Sequence, residues 1–74
     1  MTHRDDELKQ RLRAARLFVR AVQLFHGNQA AARTWLSSPQ PALGEAVPSK
    51  LAETEEGALE VERVLGRIEH GVFS

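Results

Sequence analysis

Seventy-four residues without a cysteine, 42% of them apolar and with ten basic residues against ten acidic ones, describe one small domain, 1–74, with neither a disulfide frame nor a thiolate metal site. A core of this size supplies only about 3–5 kcal/mol, so association is the remaining source of added stability. No apolar run approaches the roughly 18 residues of a membrane span and the opening Met-Thr-His-Arg-Asp-Asp-Glu is too charged for a signal peptide, which excludes a membrane partner and points to the cytoplasm.

From Leu8 the apolar residues Leu8, Leu12, Ala15, Val19 and Val22 recur in alternating steps of four and three. Phe18 and Phe25 widen the stripe, and charges fill the other side. The spacing predicts an amphipathic helix over residues 6–25, capped by Asp5 or Asp6 and closed by a left-handed Gly27. Asn28 then caps a second helix, Gln29 to Ser37, whose alanines allow close approach to the first and whose Trp35 and Leu36 face the core. Two prolines and a glycine make the stretch 37–45 a loop, with Leu43 turned inward. Pro48 opens a short helical turn carrying Leu51. Thr54 caps the last helix, whose row Leu59, Val61, Val64, Leu65, Ile68 and Val72 has helical spacing, and Gly71 stands where a left-handed cap would end it. No alternating run suggests a strand. The fold class read from this pattern is all-α: three main helices and a short turn-helix, with Trp35, Leu36, Leu43, Leu51, Val61, Leu65 and Ile68 as the structural core.

Neutral overall, the chain is polarised. Residues 1–40 hold seven Lys/Arg against three acids, +4, and residues 41–74 hold three against seven, −4. This favours charged partners and antiparallel self-association. His26 and His70 lack the ligand partners at i+3 or i+4 that a zinc site needs and His3 falls in a stretch expected to fray, so no metal site is assigned. No phosphate-cradling glycine motif or activated nucleophile is present, and so short a chain hardly encloses a cleft. No catalytic residue, no cofactor and no enzymatic activity are assigned. Arg13, Arg16 and Arg20 share one face at a spacing suited to weak phosphate contact, but base reading needs a positioned recognition helix, so DNA binding is the lesser alternative. A bare dimerisation module built on the heptad-like first helix is another.

One ordered set of residues carries more. Gly27-Asn28, Ala32, Trp35-Leu36, Pro39, Leu43-Gly44, Pro48, Leu51, Thr54-Glu55-Glu56-Gly57, Val61 and the ending Leu65-Gly66-Arg67-Ile68-Glu69-His70-Gly71-Val72-Phe73 resemble the toxin-binding domain of the Xre/MbcA/ParS antitoxins over residues 24–74. The resemblance implies a type II antitoxin whose partner is a RES-domain, NAD-consuming toxin, with the last helix and tail blocking the toxin's NAD pocket, in a homo-oligomer or a toxin–antitoxin hetero-oligomer. On that reading the partner contacts are Arg67, Glu69, His70, Gly71, Val72, Phe73 and Ser74. Phe73 would be the aromatic anchor and the Ser74 carboxylate the anion of the plug, the alternative for Phe73 being to fold back on Leu65, Ile68 or Trp35 and finish the core. The chain departs from the family pattern at Glu45, often a second Gly, at Ala52, often a second Leu, and at His26, which intervenes where a Phe often directly precedes the Gly.

Overall fold

The first helix, α1, spans Thr2–Leu24 and ends in a paired backbone closure. The His26 amide donates to Gln23 O at 3.1 Å and the Gly27 amide to Val22 O at 2.8 Å, the 5→2 and 6→1 bonds of a Schellman motif. Both residues are left-handed, His26 at φ 58° and Gly27 at φ 89°. The residue that interrupts the expected Phe-Gly pair thus fills the left-handed position itself. A computed structural model describes residues 2–71, and the side chains of residues 4–69.

Upstream, α1 begins earlier than expected. Asp5 and Asp6 lie within the helix instead of capping it, since neither Pro nor Gly interrupts the chain before them. Asp5 in the first turn still favours the positive end of the helix dipole.

Local chemistry explains the next elements directly. Asn28 accepts the Ala31 amide at 3.0 Å and starts α2, Gln29–Ser37. A 3-10 turn, Pro41–Leu43, follows, closed by Gly44 at φ 66°. Glu45 is also left-handed at φ 71°, and an isolated bridge between Gln40 and Ala46 ties the loop's ends together. Pro48 opens α3, Pro48–Leu51, at its first position. The Thr54 hydroxyl accepts the Gly57 amide at 3.0 Å and begins α4, Glu55–Gly71. Gly71 is therefore inside α4, a correction to its expected place as a left-handed residue beyond the helix.

The long helix α1 packs on α2 and α4, while α3 bridges α2 and α4. The fully buried centre is built from small residues, Ala21, Ala32, Ala52 and Ala58, with Leu17, Val61 and Leu65. Small side chains let helix axes approach closely. Larger ones, among them Phe18, Trp35, Leu36, Leu43 and Leu51, lie half-buried around that centre. Ile68, one turn beyond Leu65, stays 38% exposed, so the expected apolar row of α4 leaves the core there.

The largest departure concerns the facing of α1. Leu8 and Leu12 are each 57% exposed and Val19 53%, and Ala15 is exposed too. The buried face instead carries Arg13, Leu17 and Ala21, with Val22 half-buried at the edge. A regular heptad stripe thus points to solvent, and a less regular row that includes an arginine points inward.

Candidate functional site

The end of α4 is the surface on which the expected partner residues fall. Three arginine–glutamate pairs tie α4 to α1 along its length, the last of them at this end: Arg13 to Glu55 at 2.8 Å, Arg16 to Glu62 at 2.8 Å and Arg20 to Glu69 at 3.2 Å. Arg13 does more than pair. Its Nε donates to Ala52 O at 3.1 Å and its Nη2 to Glu53 O at 2.9 Å, so one buried guanidinium binds the carbonyls where α3 turns into α4. These contacts also weaken the phosphate-binding alternative, because the arginines that would supply it are already bound to α4.

Beyond Leu65 the helix carries little toward the interior. Arg67 and Ile68 are exposed, and Arg67 makes no ion pair with any described side chain. Glu69 is held by Arg20. The last described turn therefore presents a guanidinium beside an apolar side chain, on a helix whose position is set upstream. His70 and Gly71 are placed as backbone within α4. Val72, Phe73 and Ser74, the expected plug, lie outside the described residues. Of the expected core, Val61 and Leu65 are buried, Trp35, Leu36, Leu43 and Leu51 half-buried, and Ile68 is the correction already noted.

Among the described residues no group of three or more His, Asp or Glu is placed to hold a metal ion. No described helix is long and apolar enough to cross a membrane. The residue that sequence reasoning missed is Arg13, which it grouped with Arg16 and Arg20 on a face suited to phosphate contact; its carbonyl partners, about forty residues away, leave no local signal.

Comparison with known proteins supplies what geometry alone does not. The family described as antitoxin Xre/MbcA/ParS C-terminal toxin-binding domain matches residues 20–71. The chain belongs to this family. The match begins at Arg20 within α1, four residues before the expected start, and ends at Gly71. The chain is 48% identical over 69 residues to an antitoxin Xre of Yersinia enterocolitica and 41% identical over 69 residues to an antitoxin Xre of Photorhabdus laumondii. Each alignment covers 93% of this chain and 47% of the relative, so the chain spans about half the length of the curated relatives it matches. No solved structure matches it at a significant level.

Proposed function

We propose that this protein is a cytoplasmic antitoxin that binds a RES-domain, NAD-consuming toxin and blocks the toxin's NAD pocket with the end of α4 and the residues after it. The observation that carries the reading is membership in a toxin-binding family whose match runs to Gly71, at the very end of α4. Geometry supports it. Arg13 and the Thr54 cap fix the start of α4, Arg20 fixes Glu69, and Arg67 and Ile68 remain open to a partner.

The physical logic is occlusion. A pocket built for a dinucleotide accepts an aromatic ring, and in the sequence Val72 and Phe73 follow the exposed turn that carries Arg67 and Ile68. The acidic second half of the chain adds steering toward a basic pocket more than it adds affinity. No catalysis and no cofactor are assigned to the antitoxin itself, and complex formation makes the assembly a toxin–antitoxin hetero-oligomer.

Removal of Val72–Ser74 tests this. The truncated chain should keep its helical circular dichroism and lose inhibition of NAD consumption by the cognate RES toxin. Inhibition equal to that of the intact chain would refute the plug.

A further inference from the structure

The exposed stripe on α1 has the geometry of an unpartnered seam. Leu8, Leu12, Ala15 and Val19 follow the four–three spacing of d and a positions in a heptad, and the three large ones are more than half exposed. They lie opposite Leu17 and Ala21, which face the core, so the stripe adds nothing to the fold of this chain. Leu12 also borders an open groove of about 500 Å³ between α1 and the start of α4, lined by Lys9, Arg13, Arg16 and Glu55. Lengthwise the stripe occupies the part of α1 that precedes the family match at residue 20, apart from the end of α4.

The flanking charges say what fits. With Leu8 and Leu12 at d and a, the e positions hold Lys9 and Arg16 and the g positions hold Arg4 and Arg11. Arg16 is paired with Glu62, whereas Arg4, Lys9 and Arg11 make no ion pair among the described residues. A second copy of α1, laid parallel or antiparallel, would set basic flanks against basic flanks, which is repulsive in either direction. An anionic membrane is a poorer match too. Interfacial helices bury a broad apolar face rich in aromatic residues, and this seam is two positions wide, with Ala15 within it and Asp5 at its end.

We propose that the outer face of α1 is a docking seam for an acidic amphipathic helix of a partner protein, with apolar residues at heptad spacing and Glu or Asp along both edges. The partner helix buries Leu8, Leu12 and Val19, and its acids meet Arg4, Lys9 and Arg11.

The probe is a labelled synthetic peptide of about three heptads with Leu at a and d and Glu at e and g. A second peptide carries Lys at e and g, and phosphatidylglycerol vesicles form a third arm. With the full chain at low salt, anisotropy should show saturable binding of the Glu peptide, weakened about tenfold or more by Leu12→Asp, and no binding of the Lys peptide. The double variant Lys9→Glu, Arg11→Glu should reverse that preference. All three substituted side chains are exposed, so circular dichroism should be unchanged. The proposal fails if the Glu peptide does not bind, if both peptides bind alike, or if vesicles bind and the peptides do not. It also fails if sedimentation shows the chain alone to be a dimer that Leu12→Asp dissociates.

Discussion

Arg13 concentrates more of the tertiary structure than any other polar residue, joining α1 to two carbonyls and a carboxylate around the start of α4. Glu55 is largely exposed, so that pair contributes little in water; the carbonyls matter more, because truncating Arg13 would leave Ala52 O and Glu53 O without their side-chain donor. Arg13→Ala should therefore lower stability by about 2 kcal/mol in urea unfolding, and Arg13→Lys should recover only part of it, since an ammonium lacks the planar fork. A loss under about 0.5 kcal/mol would show that the clamp is ornamental. Glu45 makes an opposite case. A non-glycine residue at φ 71° carries backbone strain of about 1 kcal/mol, so Glu45→Gly should raise stability modestly, by about 0.5 kcal/mol once the added freedom of the unfolded chain is counted, seen as a higher urea midpoint.

At the scale of elements, the tightest approach is between α3 and α4. A Cβ on Gly57 would meet the carbonyl oxygen and carbon of Leu51, backbone atoms that cannot swing aside. Gly57→Ala gains about 1 kcal/mol of helix propensity and incurs a clash worth more, so it should destabilise by about 2 kcal/mol; a stabilised variant would mean that α3 gives way easily. The elements that were legible in the sequence are those fixed locally. Asn28 and Thr54 each accept an amide within their own first turn, Pro48 lacks the amide that would go unpaired there, and the structure shows all three where the pattern put them. The facing of α1 was not legible, because the helix carries two apolar rows and the more regular one is the outer. Its inward row is disguised by Arg13 and Ala21, whose burial depends on carbonyls and alanines brought in from later helices. Ile68 misled for a related reason: helical spacing specifies a face and not how far along that face the core extends. At the candidate site, the family resemblance located the end of α4, while the ion pair that holds Glu69 needed the third dimension.

Over the whole molecule, the longest dimension is 45 Å against 25 and 20 Å for the others, and every described side chain from Arg4 to Leu12 is exposed. Residues in that stretch of α1 rely on their own helix for protection. Native-state hydrogen exchange should therefore find the amides of residues 6–12 exchanging at least about tenfold faster than those of 17–21, which share the core with α2 and α4. Equal protection throughout would mean that something covers the outer stripe already. The arginine–glutamate row has a further consequence. Along α1 the cations advance by three and four residues, Arg13 to Arg16 to Arg20, while along α4 the acids advance by seven each time, Glu55 to Glu62 to Glu69. Sliding α1 by one turn would bring two of the three arginines back to a carboxylate but would pull the Arg13 fork off Ala52 O and Glu53 O, so the axial setting of the two helices rests on the carbonyl clamp and not on ion pairs that individually contribute little to stability.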